Sequence, residues 1–557
     1  LRVLVFATVG GAVLVGLALF ARPTHPQGAA ARPPLPVTVS DGGRRTIPID
    51  VVIDCSKRPR PIHPEIYGIG FDVTGFSDTT DVRQWQTGAG ARRFGGNASS
   101  RYDWELGTYN HGSDYLFVND RTPGSEPLYA SFLREDAQHG VTSAVTIPIL
   151  GWVAKDATSV SFPLSRYPSQ AKTDARRGAG DGHLPDGRVL PSPPQSDTSL
   201  AETPEMQGRW VDAMARIPDS HARTYILDNE PGLWNSTHRD VHPTPMTYDE
   251  LLERTVAYAH ALRAHDPQGK IAGPASYGWP DYFFSGNDVA AGVRWKPDRR
   301  MHEDLPLLAY YLRELHRHEE RTHERLLDLL DVHFYAQGEN LGIGRQGAVD
   351  PATRALRVRQ TRGLWDPSYV DESWIREPVR LLPRLKEWID AYDPGVGIQI
   401  GEWSYGAEED ISSGLAVAET LGRFADNGVA AAYYWTYPAP GSAAMAGFRA
   451  FRDFDGRGGR FLDLLAPVDP PGNEASVWVS RDAEGKHLVV VLLALAEGAG
   501  VAARLHVSSC GVPTQATAFQ YAEGSVQATP VVVEAHGTDV QATLPAYSMT
   551  TVDVRLR

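Results

Sequence analysis

A chain of 557 residues is long enough for more than one domain, and 42% hydrophobic with 22% charged residues is ordinary globular usage, which excludes wholesale disorder. The formal net charge of −14 excludes the basic face that a nucleic-acid backbone requires and suits a neutral substrate. Thirteen Trp, 22 Tyr and 17 Phe supply flat rings that pack a core or stack on sugars.

In chain order, Val3 to Ala21 is almost continuously apolar and flanked by Arg2 and Arg22, so residues 1–22 read as a signal peptide or membrane anchor. The expectation is a protein secreted or anchored on the outer side of the cytoplasmic membrane, touching lipid only through this segment if it is uncleaved. A Pro/Ala-rich linker occupies 23–45. Residues 46–66 hold the β-like run Ile47 to Asp54, which lies outside the strand–helix rhythm of the central span and is assigned to the C-terminal β-sandwich. From 67 to 452 strands and helices alternate, the βαβ rhythm of a parallel sheet and here of a (β/α)8 TIM barrel.

Within that span, Arg92 to Trp104 sets Arg93, Asn97 and Trp104 around Gly95 and Gly96, where the backbone allows close approach. Val141 to Leu150 is a dense apolar strand, and Asp174 to Ser199 a long irregular excursion. Met206 to Ile217 is helical in pattern. The run Tyr225, Ile226, Leu227 then ends in Asp228, Asn229 and Glu230, and Pro231 forbids its continuation. Thr247 and Glu250 form a capping box for a helix that stops at Asp266 and Pro267, and the strand Lys270 to Ala275 comes directly after it. The helix Leu307 to Leu327 carries His316, His318 and His323, whose spacing describes a solvated face rather than a metal shell. Leu329 to Tyr335 delivers His333 and Tyr335 to one side, because strand side chains repeat every second residue. After a helix over Trp374 to Tyr392, Gly397 to Glu402 ends in a second Glu, and Val429 to Tyr437 brings Trp435. Residues 453–557 show short strands without helices, an antiparallel sandwich. Cys55 and Cys510 are either one bridge between the early strand and this domain or two separate buried thiols.

Two glutamates at the ends of two parallel strands are what glycoside hydrolysis requires, one acid for the leaving oxygen and one carboxylate facing the anomeric carbon. Beside Pro231 and Trp234, Glu230 is the candidate to stay protonated. Glu402 is the candidate to stay ionised, if Tyr335 or Arg93 hydrogen-bonds it. Trp152, Trp234, Trp279 and Trp403 are candidate sugar platforms or core.

Several stretches carry a resemblance: Leu227 to Glu253 with its Thr-His-Arg-Asp-Val-His string, Arg93 to Asn97 with Arg101 to Trp104, Gly151 to Asp156, Asp331 to Tyr335 and Leu364 to Trp374. Together they resemble glycoside hydrolase family 44, an endoglucanase and xyloglucanase family. The resemblance implies a barrel plus sandwich, cutting internal β-1,4-glucosidic bonds with retention, Glu230 as acid/base and Glu402 as nucleophile. It further implies that Asn229 binds the sugar 2-hydroxyl, Tyr335 holds the nucleophile and Trp435 stacks under a sugar. Arg93, Asn97, Trp234, His333 and Trp403 complete the expected substrate-binding set. No cofactor is implied for catalysis, although the family can bind a structural calcium, for which Asp156 and Asp181 are the acidic candidates. The expected partner is a β-glucan, taken by a monomer. The chain departs from the family's pattern at Gly401 and Trp403, where Thr-Glu-Tyr is usual around the nucleophile, and at Phe94 and Asp103. Hydrolysis of mannan or xylan, or a silent cell-surface glycan-binding protein, are the alternatives. His238 and His242 are read as holding the loop after the acid.

Overall fold

The computed structural model describes residues 38–39, 45–75, 81–122, 124, 126–218, 222–469 and 471–557. The apolar segment 1–22 and most of the linker 23–45 lie outside the described residues. Eight parallel strands close into a barrel in strict chain order: β1 (Gly68–Asp72), β2 (Ala91–Gly95), β3 (Thr142–Ile147), β4 (Ala222–Leu227), β5 (Lys270–Ser276), β6 (Leu329–Tyr335), β7 (Gly397–Ser404) and β8 (Ala431–Tyr434). β8 pairs with β1 to close it.

Alternation along the strands decides what fills the barrel. Ala91, Ala144, Ala272 and Ala431 form a small cluster with Ile226, Leu329 and Tyr433, apart from the large core between strands and helices. Small side chains here leave volume for long polar ones, and Arg93, Asp331, His333 and Gln399 are fully buried on the same strands. Outward-facing neighbours such as Val145, Leu227, Val332 and Ile400 pack under the helices.

The connections mostly keep the expected rhythm. Thr247 caps the helix Tyr248–His265 by accepting from the Glu250 amide at 3.1 Å. Only half of the capping box forms, because the Glu250 carboxylate is drawn to His242 at 2.8 Å and Arg254 at 3.0 Å. The helix over 374–392 is shorter than expected. It spans Leu381–Tyr392, and Trp374 stands exposed in the preceding loop. Likewise Leu307–Thr322 stops where His323 turns into the left-handed region.

Two sheets form the second body. One is built on Arg45–Val52, Ala499–His506 and Asp539–Leu544, the other on Ala475–Arg481, His487–Ala494, Pro513–Ala522 and Ser548–Leu556. All pairs are antiparallel except one: Arg45–Val52 runs parallel to Ala499–His506 in register along its length. A disulfide joins Cys55 to Cys510, with the Cα atoms 5.1 Å apart.

Candidate active site

The end of β4 is a turn built by Asp228. Its carboxylate accepts from the amides of Ile149 at 2.6 Å and Asn229 at 2.8 Å, and from the Trp234 indole at 3.3 Å. Asp228 and Glu230 both hold positive φ, 64° and 49°, a conformation that costs a non-glycine residue of order 1–3 kcal/mol and persists where surroundings over-determine it. Pro231 then opens a short 3-10 turn. The outcome is a Glu230 side chain aimed across the barrel mouth, where His333 Nδ1 meets Oε1 at 2.9 Å.

Opposite it, Glu402 at the end of β7 is gripped from three sides. Arg93 Nη1 donates to Oε1 at 2.6 Å, Tyr335 Oη donates to Oε2 at 2.6 Å, and His333 Nδ1 lies 3.6 Å from Oε2. Arg93 also donates to the Gly401 carbonyl at 3.0 Å and to Asn229 Oδ1 at 2.8 Å, so one guanidinium ties both strand ends together. Oxygens of the two glutamates and the His333 nitrogen all lie within 4.8 Å of one another.

These contacts split the pair electrostatically. Burial raises the Glu230 carboxyl more than His333 draws it down, and the negative charge of Glu402 adds to the rise. Burial pushes Glu402 up as well, but the charges of His333 and Arg93 and the bonds from Tyr335 and Arg93 outweigh it and hold Glu402 below the usual value. A carboxyl of raised proton affinity and one of lowered proton affinity thus bring their oxygens within 4.8 Å of each other.

Glycines explain how the pieces fit. At Gly95 a Cβ would lie 2.9 Å from Arg93 Cζ, and at Gly96, with φ +86°, 2.8 Å from the Trp435 ring. Arg93 in turn lies 5.7 Å from that ring's centroid. The departure at Gly401 has a similar cause: a Cβ there would sit 2.6 Å from the Asp331 carboxylate, a buried group that sequence reasoning missed. The signal existed, since Asp331 shares strand parity with His333 and Tyr335.

Other expected site residues stand elsewhere. Trp234 and Trp403 are not sugar platforms; both have no exposed surface. Trp234 is held by Asp228 and the Arg254 cation, while Trp403 packs among Phe424, Tyr434 and Phe448 because alternation turns it away from Glu402. Arg93 is fully buried and donates to Glu402 and Asn229. Asn97 donates its amide to Asp114, at 3.1 Å to each oxygen. Phe94 lies in an aromatic cluster with Phe71, Tyr102 and Trp210, and Asp103 caps its own turn at the Glu105 and Leu106 amides.

The described residues do not gather the calcium candidates with further carboxylates. Asp156 spends its carboxylate on the Thr158 and Ser159 amides and the Ser159 hydroxyl, and Asp181 accepts from the His183 amide. Neither belongs to the groups of three or more ligand-type side chains among the described residues, which are Glu230, His333, Glu402 and His316, Glu319, Asp393. In the latter, Arg325 already lies within ion-pair distance of both carboxylates. Behind Glu230, His242 reaches Glu250 as a loop support, and Arg101 pairs with Asp240 in full burial.

Opposed carboxylates at the ends of the fourth and seventh strands of a parallel barrel, joined to a β-sandwich, are the arrangement that two-carboxylate glycoside hydrolysis uses. Residues 108–338 match the family model of glycoside hydrolase family 44. That match spans less than half of the chain. The chain is 29% identical over 489 residues to Endoglucanase A of Paenibacillus lautus, covering 83% of this chain and spanning only 65% of that relative's length. The solved structure of CelM2, a bifunctional glucanase-xylanase protein from a metagenome library, matches with a TM-score of 0.84 at 29% identity, over 92% of this chain and 100% of that one. A Paenibacillus polymyxa xyloglucanase of the family, solved with xyloglucan, matches with a TM-score of 0.74 at 26% identity, over 92% and 100%.

Proposed function

We propose that this protein is an exported retaining glycosidase that cuts internal β-1,4 bonds of cellulose-type glucan or xyloglucan. The observation that carries the reading is the pair Glu230 and Glu402, whose oxygens come within 4.8 Å while their environments push their proton affinities apart. Retaining enzymes hold their carboxyls about 5 to 5.5 Å apart, and inverting ones about 6.5 to 9.5 Å apart to admit a water. In the first step Glu402 attacks the anomeric carbon as Glu230 protonates the departing oxygen. In the second, Glu230 takes a proton from water, which attacks the same carbon and releases Glu402. Tyr335 and Arg93 hold the nucleophile in place through both steps, and Asn229, fixed by Arg93, is the candidate for the sugar 2-hydroxyl.

Substrate class rests on the relatives. The Paenibacillus proteins are named an endoglucanase and a xyloglucanase, and the glucanase-xylanase neighbour favours xylan as a second substrate. Trp374, 60% exposed, offers a ring steadied by its indole bond to Gln337 at 3.2 Å, and Gln337 is itself tied to the Tyr335 carbonyl. Export rests on the apolar run Val3 to Ala21.

Release of reducing ends from xyloglucan, hydroxyethyl-cellulose and xylan tests the reading, with the first-formed anomer monitored by NMR. The expected outcome is a β-anomer first and a fall on the order of 10³-fold or more in Glu230→Gln and Glu402→Gln. A parent that binds these glycans without cutting them would instead be a binding protein, and an α-anomer first would remove the double displacement.

A further inference from the structure

One buried acid in the loops at the barrel mouth has no part in the double displacement. Glu408 lies between β7 and the helix Ile411–Asp426 and is 4% exposed. Its two carboxyl oxygens reach two points of the chain at the end of β8. Oε1 accepts from the Tyr434 hydroxyl at 2.9 Å, and Oε2 from the Ala439 amide at 3.0 Å. Ala439 stands between Pro438 and Pro440, which have no amide hydrogen, so its N–H is the donor available at that point of the loop. The main chain of Glu408 ties in two further loops. Its amide donates to the Gly344 carbonyl after β6 at 3.2 Å, and its carbonyl accepts from the Ala444 amide at 3.0 Å, at the start of the helix Ala443–Arg452. Between Tyr434 and Ala439 stands Trp435, half-buried. Direct contacts place it beside the catalytic pair. Its amide donates to the carbonyl of Trp403, the residue after Glu402, at 3.0 Å. Its ring centroid lies 5.7 Å from Arg93, whose Nη1 donates to Glu402 Oε1 at 2.6 Å. The ring rests against Gly70 and Gly96, where a Cβ would lie 2.7 and 2.8 Å from it.

We propose that Glu408 is a positioning residue: by clamping the chain on both sides of Trp435, it holds that ring as the platform on which a neutral sugar unit stacks beside Glu402. The inference deepens the glycosidase reading and rests on it. A ring that binds by stacking is effective in proportion to how little freedom it loses when the sugar arrives, so a loop fixed in advance binds more tightly than one ordered by the ligand. Glu408 supplies that fixing with one side chain. Both donors it satisfies, the Ala439 amide and the Tyr434 hydroxyl, belong to buried residues. Without the carboxylate both lose their partner together, and the loop that carries Trp435 must shift to find others.

A double-mutant cycle separates a clamp on Trp435 from a general loss of structure. Calorimetric binding of cellotetraose to the Glu230→Gln protein keeps the test independent of turnover. In that background Trp435→Ala and Glu408→Ala are each expected to weaken binding about 10-fold. Combined, they should weaken it about 10- to 20-fold, because Glu408 acts through that ring. A combined loss near the product, about 100-fold, would mean independent effects and overturn the inference, as would a Trp435→Ala change without effect. Glu408→Gln keeps an acceptor for the Ala439 amide and should bind within about 3-fold of its parent. A folded Glu408→Gln protein as weak as Glu408→Ala would overturn the clamp. Thermal melting checks folding, and if Glu408→Ala does not melt cooperatively, Tyr434→Phe, which removes one of the two contacts, takes its place in the cycle. An enzyme that cuts nothing while the cycle holds sinks the double displacement alone. Equal binding with and without Glu408→Ala sinks the role of Glu408 alone, and no binding by Glu230→Gln sinks both.

Discussion

The barrel and the sandwich bury side chains for opposite reasons. Between the sandwich sheets lie Val479, Val490, Leu492, Val501, Leu505, Val552 and Val554, all aliphatic and almost wholly enclosed. Each such side chain contributes roughly 1.5–3 kcal/mol on burial. Inside the barrel, alanines surround Arg93, Asp331, His333 and Gln399, groups whose desolvation costs free energy and which persist because they face one another. Asp331 shows the cost most directly: burial, moderated by His333 and Arg93, pushes its carboxyl up to about 6. Cohesion is concentrated where nothing reacts, and the reacting centre is assembled from groups the fold must tolerate.

The hardest test of that contrast is Arg93→Met. Removing one partner of a buried ion pair strands a charge, at about 3–5 kcal/mol. Activity should fall with it, and the acid limb of kcat/KM should move to higher pH, because Glu402 loses the cation that keeps its proton affinity low. Chemical denaturation and a pH-rate profile check both; an unmoved limb would mean that Arg93 is merely structural. Leu505→Ala is the matching change in the sandwich. It should cost about 2–5 kcal/mol by the same denaturation, with kcat per folded molecule and the pH profile unchanged. A changed profile would show the two interiors to be coupled. Tyr335→Phe is the mildest of the three. Losing its bond to Glu402 should cost about 1.5–3 kcal/mol of the grip on that carboxylate, read as a lower kcat and a smaller upward shift of the acid limb than in Arg93→Met, with stability near that of the parent.

Much of this architecture was legible because two periods, 2 and 3.6, are written into side-chain order. The β6 strand came out over Leu329–Tyr335 with His333 and Tyr335 turned inward together, and Glu230 and Glu402 both arrived at strand ends. The same alternation would have placed Asp331 inside, below His333; on β7 it breaks, because Gln399, Gly401 and Glu402 all face inward and a register shift against β6 turns Trp403 outward. Chemistry by adjacency misled there, since a ring next to a glutamate in sequence is across the sheet from it in space. Trp234 was harder to read, because its burial depends on the turn that Asp228 builds.

The parallel docking of Arg45–Val52 on Ala499–His506 also gives the molecule a mechanical property. A pull on the Arg45 end of this strand along its axis loads eight residues of ladder together in shear, rather than peeling them one at a time. The Cys55–Cys510 link, just past the far end of that ladder, caps how far it can slip. Load entering the chain at Arg45 would be borne by this clasp, and the barrel would be spared the strain.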